Sequence, residues 1–182
     1  IGYGEVHPLT TAGRVVAMGV ATTGMASLFY LFTTTMEFMV NAQLRGRFGK
    51  RRMQSRIDML TGHFIVAGLG RVGRQAASEL HEAKVPFVAL DTDIRAVDQA
   101  IERGEFGLYG DATTEESLKR AGIERAKGLI VTTESDATNL FVIMSARQLN
   151  PKLFIVSRAG DEATVGKLLR AGADRAMSPY AT

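Results

Sequence analysis

The chain has 182 residues, no cysteine and a formal net charge of +3. The lack of cysteine excludes a disulfide framework and a thiolate metal site. Six cations lie close together, and without them the formal net charge would be −3. Because the basic charge is confined to one segment, no nucleic-acid partner is expected. These cations are Arg45, Arg47, Lys50, Arg51, Arg52 and Arg56.

The first predicted element is a loop that contains Gly2-Tyr3-Gly4. This tripeptide is typical of a potassium-selectivity filter, in which backbone carbonyls replace the hydration shell of the ion. Glycine suits such a lining because it adopts backbone angles that a Cβ would forbid. Alone, the tripeptide also fits a surface turn. Beside a helix of membrane length it predicts the end of a filter over residues 1–8.

A long uncharged stretch runs from Val15 to Met36. At 1.5 Å per residue these 22 positions span about 33 Å, enough to cross a hydrocarbon core of roughly 30 Å. We therefore expect a transmembrane inner helix within residues 9–44. The alternative is a buried helix of a soluble protein, favoured by five threonines at positions 22, 23, 33, 34 and 35. The run is too long for the apolar region of a signal peptide.

The six cations follow this stretch directly. Cations within about 15–20 residues of a membrane exit mark its cytoplasmic side, and they also suit contact with anionic lipid. Residues 45–61 are therefore predicted to be a basic cytoplasmic linker at the inner face of the cell membrane. The remaining residues, 62–182, are enough for one cytoplasmic domain with a core of its own.

A glycine-rich loop opens that domain, directly after an apolar predicted strand at residues 63–67. It reads Gly68-Leu69-Gly70-Arg71-Val72-Gly73 and leads into a helical pattern. Gly68 permits the tight turn, and Gly70 lets a phosphate approach the backbone N–H groups at the helix start. Gly73 allows close packing of helix on strand. A strand before the loop and a helix after it predict a dinucleotide-binding fold.

An acidic residue at the expected distance supports this prediction. Asp91 follows the strand predicted at residues 87–90 and lies 18 residues after Gly73, against about 20 in the fingerprint. Its carboxylate can accept hydrogen bonds from the hydroxyls of an adenosine ribose. Its charge would repel a 2′-phosphate.

Strands and helices alternate to the end of the chain. Strands are predicted at residues 107–110, 128–133, 153–158 and 175–178, and helices at 93–103, 115–121, 136–149 and 162–171. This pattern predicts an α/β domain with a doubly wound parallel sheet, which binds ligands at the carboxyl ends of its strands. The predicted nucleotide-binding residues are Gly68, Leu69, Gly70, Arg71, Val72, Gly73, Asp91, Thr92, Asp93, Asp111, Ala112, Thr113, Thr132 and Arg158.

With these motifs assembled, the chain resembles a potassium channel that carries a cytoplasmic RCK (regulator of potassium conductance, or KTN) domain. The resemblance covers nearly the whole chain and rests on the filter tripeptide, the glycine loop, Asp91, Gly110-Asp111-Ala112-Thr113 and Ala171-Gly172-Ala173-Asp174 before Ser178-Pro179. It implies a fragment: an outer helix, a pore helix and the start of the filter should precede Ile1. A crossover helix and a C-terminal lobe should follow Thr182.

The resemblance also implies how the protein works. Four identical subunits would line one potassium-conducting pore, and their RCK lobes would form a ring whose ligand biases opening. Gly24 falls where inner helices of the family carry a hinge glycine. Gly19 is the competing hinge candidate, and packing against another helix at a small residue is the alternative explanation for Gly24.

The expected regulatory ligand is NAD(H), ADP or ATP. Arg71 and Arg158 would engage its phosphates, since guanidinium suits phosphate. Calcium-gated relatives place acidic groups after the fourth and fifth strands, because the ion needs several oxygen ligands. Glu134 and Asp136 are acidic groups that follow the fourth predicted strand. After the fifth strand, however, Arg158 supplies a cation in place of the acidic groups. Calcium is therefore disfavoured.

Two other functions are compatible with a dinucleotide-binding fold. A dehydrogenase needs a proton donor or acceptor near the nicotinamide, and His7, His63 and His81 lie in the wrong places to supply one. No enzyme activity is expected. The alternative function is a nucleotide-sensing regulatory component of a potassium uptake or antiport system, which predicts further apolar spans and no filter tripeptide.

Overall fold

The structure is a computed structural model that describes residues 10–178, with residues 37–50 described by their secondary structure only. The chain divides into two compact units at the bond between Gly49 and Lys50. The predicted filter residues Gly2, Tyr3 and Gly4 lie outside the described residues.

One helix dominates the N-terminal unit and continues past its end. Helix α1 runs from Thr11 to Asp58, a length of 48 residues. Its segment Thr11–Met36 has a mean hydropathy of 1.7, and it is the one helix among the described residues long and apolar enough to cross a membrane. Helix α1 also passes through residues 45–58 of the predicted linker, so glycines at 46 and 49 do not end it.

The threonine hydroxyls of the membrane-length segment form hydrogen bonds within the helix itself. Hydroxyls of Thr23 and Thr35 donate to the carbonyls four residues earlier, at 2.6 and 2.7 Å, and Thr22, Thr33 and Thr34 make similar bonds. Such bonds let threonine occupy an apolar environment. Large apolar side chains are exposed along the segment, with Phe29 at 70%, as expected of a helix that faces lipid or other helices.

The second unit is built on a six-stranded parallel sheet, in the order β3-β2-β1-β4-β5-β6. Phe64 of β1 pairs with Phe87 on one side and Gly128 on the other. This order, reversing at β1, confirms the predicted doubly wound α/β fold. The strands are β1 Phe64–Ala67, β2 Phe87–Asp91, β3 Phe106–Tyr109, β4 Gly128–Val131, β5 Phe154–Arg158 and β6 Arg175–Met177.

Five helices connect the strands, together with a short 3-10 helix at Ile123–Arg125. The helices are α2 Arg71–Glu82, α3 Ile94–Glu102, α4 Glu115–Arg120, α5 Asp136–Leu149 and α6 Glu162–Arg170. Central strands are buried on both faces, as parallel sheets require. A larger and a smaller apolar cluster form the core.

The last turns of α1 contribute to this core. Ile57 has no exposed surface, and Met53 packs partly buried against the larger cluster. Full burial of an isoleucine side chain stabilises by about 1.5–3 kcal/mol. The end of α1 is therefore part of the second unit.

Candidate functional site

The glycine loop between β1 and α2 has the geometry of a backbone cradle. Gly68 has φ 97°, and a Cβ there would lie 2.9 Å from the backbone of Thr132 and Thr133. At Gly73 a Cβ would collide with the Gly68 carbonyl and lie 2.7 Å from the Thr132 hydroxyl. Gly70 differs, because nothing lies within 4 Å of its Cβ position. Two of the glycines are thus required by packing, while the third faces open space.

The start of α2 is open to a ligand. Its N-cap is Gly70, and no side chain caps it. The helices α3, α4, α5 and α6 instead have side-chain caps from Asp93, Thr114, Ser135 and Asp161. Bonds from the Thr164 side chain and backbone also lower the pKa of Asp161. The uncapped N–H groups of α2 leave a place for an anion such as phosphate.

Asp91 connects two segments of the site through hydrogen bonds to their backbone N–H groups. One carboxylate oxygen accepts a short hydrogen bond from the Leu69 backbone N–H, and the other accepts from the Asp93 N–H at 2.7 Å. Asp91 therefore ties the glycine loop to the start of α3. Each carboxylate oxygen has a second lone pair, so these bonds leave capacity for ribose hydroxyls.

A cavity of about 490 Å³ lies at this edge of the sheet. Its volume is within the range of small-molecule sites. Nine of the predicted nucleotide-binding residues line it: Gly68, Leu69, Gly70, Asp91, Thr92, Asp93, Asp111, Ala112 and Thr132. Eight further lining residues were not among the predicted nucleotide-binding residues: Arg74, Leu90, Ala96, Gly110, Thr133, Glu134, Ser135 and Thr138.

A second cavity, of about 770 Å³, lies beside the first and shares Gly70, Arg74, Thr132 and Glu134 with it. Arg71, Val72 and Arg158 line this second cavity and not the first. The remaining predicted residues, Gly73 and Thr113, line neither. Arg74 is the arginine that borders both. Its position four residues after Gly70 was the available signal, since residues i and i+4 share a helix face.

Arg158 is held in place from one side. Its Nη1 donates to the Thr133 carbonyl at 3.3 Å, while its buried Nε has no hydrogen-bond partner among the described residues. An anion in the second cavity would suit this guanidinium.

The two weak calcium candidates differ in their surroundings. Asp136 accepts a hydrogen bond from the Gly160 N–H at 2.8 Å, which ties α5 to the loop after β5. Glu134 is exposed and borders both cavities. Over residues 10–178 no group of three or more histidine, cysteine or acidic side chains is arranged to hold a metal ion.

His63 lies at the opposite end of β1 and is fully buried. Its Nε2 is 2.8 Å from the Ala121 carbonyl oxygen, so the ring donates there, and Nδ1 has no partner among the described residues. Burial lowers the pKa of His63, and the charge of Arg125 adds to this effect. The imidazole is therefore a neutral part of the core.

Comparison with known proteins gives two family matches. Residues 64–179 match the TrkA-N domain family, and residues 1–41 match a family described as ion channel. Potassium channel protein 1 of Methanocaldococcus jannaschii is 38% identical, over 99% of this chain and 55% of the relative. Probable potassium channel protein 2 of the same organism is 37% identical, over 98% and 53%. The chain thus spans about half the length of these relatives.

Solved structures share the fold. The TrkA-N domain of the inner membrane protein ybaL from Escherichia coli is 30% identical with a TM-score of 0.64, covering 66% of this chain and 90% of that one. The GsuK RCK domain is 39% identical with a TM-score of 0.56, covering 63% and 24%. A GsuK channel bound to NAD is 19% identical with a TM-score of 0.59, covering 97% and 32%. At that identity the last match shows the fold alone.

Proposed function

Because the chain belongs to the TrkA-N domain family and carries an ion-channel segment ahead of that domain, we propose that it is part of a ligand-gated potassium channel subunit. A nucleotide bound to its RCK domain would control opening of the pore. One observation carries this proposal: α1 contains both the membrane-length segment and the buried Ile57 of the nucleotide fold. Sensor and pore element therefore share one helix.

The ligand we propose is an adenine nucleotide without a 2′-phosphate, namely NAD(H), ADP or ATP. Its phosphates would bind the uncapped start of α2 beside Gly70, and its ribose would bind Asp91. The apolar side chains of Leu90, Ala96 and Ala112 line the first cavity and suit the adenine ring. The GsuK RCK domain is 39% identical to this chain, and a GsuK channel has been solved bound to NAD, which supports a nucleotide as ligand.

Arg74 is placed between the two cavities, and Arg71 and Arg158 line the second. We propose that the second cavity receives the part of the ligand beyond the first phosphates. Bidentate guanidinium contacts are well matched to phosphate oxygens. The arginines would then contribute more to the affinity of ligands that extend beyond the first phosphates than to the affinity of shorter ligands.

Potassium is the proposed permeant ion, through a filter whose last residues are Gly2, Tyr3 and Gly4. The proposed gating hinge is Gly24. Among the described residues nothing lies within 4 Å of a Cβ placed at either Gly24 or Gly19, so packing within the described part of the chain requires neither glycine. A role in bending, or in contact with another subunit, would account for a glycine at position 24.

A homotetrameric pore and a ring of RCK domains complete the proposal. Helix α5 exposes Phe141 at 64% and Met144 at 54% on one face. Exposed apolar surface of this kind suits contact with another copy. Lipid would cover other apolar residues of α1, placing the subunit in the cell membrane with its RCK domain in the cytoplasm.

The domain is proposed to regulate rather than catalyse. His63 and His81 line neither cavity, so neither is placed for proton transfer to a bound nucleotide. The alternative role, as regulator of a potassium uptake or antiport system, is less favoured because residues 1–41 match an ion channel.

Ion flux through the full-length protein tests the proposal. The protein would be reconstituted in lipid vesicles loaded with potassium or sodium, with NAD, NADP, ADP or ATP supplied in turn. We expect potassium efflux whose rate changes with NAD, ADP or ATP. Equal sodium and potassium flux would contradict the channel assignment, and potassium flux indifferent to every nucleotide would contradict the regulatory one.

A further inference from the structure

We propose that a reciprocal contact between Gln54 of α1 and Arg120 of α4 couples the nucleotide cavity to the pore helix. This inference rests on the proposed function and assigns the coupling to particular residues. It starts from the way α1 ends.

Three residues in the last turns of α1 attach it to the nucleotide fold. Gln54 Nε2 donates to the Arg120 carbonyl at 2.9 Å, and Arg120 Nε donates back to Gln54 Oε1 at 3.3 Å. The guanidinium of Arg56 lies 4.9 Å from the centroid of the Phe106 ring, in reach of a cation–π contact. Ile57 is buried in the core. The end of α1 is thus attached to α4, to β3 and to the core at once.

The other end of α4 begins at the wall of the first cavity. Asp111 and Ala112 line that cavity, and the Asp111 carbonyl accepts a hydrogen bond from the Thr114 hydroxyl at 2.9 Å. Thr114 caps α4 by accepting from the Ser117 N–H at 3.3 Å. A ligand that contacts Asp111 or Ala112 therefore acts on the first turn of α4.

Helix α4 is short enough to transmit such a movement as one body. Its six residues rise about 9 Å from the capped end to Arg120. The first turn of α4 lies close to Gly110, where a Cβ would be only 2.6 Å from the Ser117 hydroxyl. A shift of the cavity wall is consequently passed along α4 to Gln54.

The Gln54 amide also has a hydrogen-bond partner within its own helix. Gln54 Nε2 donates to the Asp58 carboxylate at 2.9 Å, within α1 itself. The Gln54 Nε2 group would therefore keep this partner when the contact with α4 opens. Ligand binding would then shift the population between the closed contact of this structure and an open one.

Substitutions at the two residues give a graded test in the full-length protein. Gln54→Ala removes both hydrogen bonds to α4, whereas Arg120→Ala removes only the one from its side chain. We expect Gln54→Ala to reduce the NAD-induced change in open probability at least fivefold in single-channel recordings, and Arg120→Ala to reduce it less. The double variant should resemble Gln54→Ala, because the two residues act through one contact.

The control is Ser55→Ala, since among the described residues the Ser55 hydroxyl bonds only to the Arg51 carbonyl of the same helix. It should gate like the parent. NAD affinity, measured by calorimetry on the same proteins, should stay within about twofold for all variants, because Gln54, Ser55 and Arg120 line neither of the two cavities described. A merely structural role would instead lower affinity and thermal stability together.

Each outcome decides one question. A parent that responds to NAD, with a Gln54→Ala variant that responds equally, overturns the coupling proposal and leaves the proposed function intact. A parent that binds NAD, ADP or ATP but changes its open probability with none of them overturns the proposed function first. If Gln54→Ala fails to fold, gating by Arg120→Ala tests the coupling proposal instead. That variant keeps the backbone carbonyl of residue 120 as an acceptor for Gln54, and it keeps the Gln54–Asp58 bond. Parent-like gating by Arg120→Ala would then overturn the proposal.

Discussion

Replacement of Asp91 by alanine tests the nucleotide site at its most connected residue. In the proposed complex the carboxylate accepts hydrogen bonds from the ribose, and charge-assisted bonds of this kind contribute about 1.5–3 kcal/mol. Their loss corresponds to a drop in affinity of roughly ten- to hundredfold. The same substitution removes the acceptors of the Leu69 and Asp93 N–H groups. The loop should therefore loosen as well, and the free energy of unfolding should fall.

These two effects of Asp91→Ala can be separated by calorimetry with NAD and NADP on the full-length protein. The parent should bind NAD more tightly than NADP, because the Asp91 charge repels a 2′-phosphate. The variant should lose most of that preference, while a mere loosening of the loop would weaken both ligands alike. Asp98→Ala serves as control, since Asp98 lies on α3 and lines neither cavity. Equal affinity of the parent for NAD and NADP would refute the ribose assignment.

Three further predictions concern other parts of the molecule. Gly73→Ala should destabilise the domain by about 1–3 kcal/mol or more in urea unfolding, since its Cβ would meet the Gly68 carbonyl; unchanged stability would contradict the described loop. Burial lowers the pKa of His63, so stability should be full above about pH 6.5 and fall as the pH drops below it. His63→Gln should remove part of this pH dependence, and an identical profile would argue against a titrating His63. Gly4→Ala in the full-length channel should reduce selectivity for potassium over sodium, as reversal potentials would reveal; an unaltered ratio would count against the filter.

The sheet and its order of elements were predictable because their signals are local. Strong apolar runs marked the strands, and helix α5 was predicted with the bounds that the structure has, Asp136–Leu149. Its Ser135 cap and the following Asn150 make both ends recognisable. The first residue of a strand was less predictable. The strand predicted to begin at His63 begins at Phe64 in the structure. Bounds at strand ends depend on pairing partners that are distant in sequence.

The segment after the membrane span was harder to interpret. Residues 45–61 were predicted to be a linker, and the glycines at 46 and 49 each cost about 1 kcal/mol in a helix interior. The structure continues α1 to Asp58, where Met53 and Ile57 pack against the nucleotide fold. This packing is a tertiary contribution, and local propensity does not contain it.

The site was predictable in part for a related reason. Topology brings the glycine loop, Asp91 and Asp111 to one edge, and the sequence pattern predicts topology well. The direction of each side chain decided which residues line which cavity. Arg74 borders both cavities, whereas Arg71 borders only the second. Adjacent helix residues differ by about 100° in direction, so membership of the loop motif did not fix which arginine faces which cavity. Their roles in binding stay predictions.

The most direct test of the account is a recording of single full-length channels in a planar bilayer with known orientation. NAD, ADP or ATP would be added first to the face opposite the RCK domain and then to the face that bears it. We expect potassium-selective openings whose probability changes only when nucleotide reaches the RCK side, over the concentration range in which calorimetry shows binding. Saturated nucleotide binding with an unchanged open probability on both sides would contradict it.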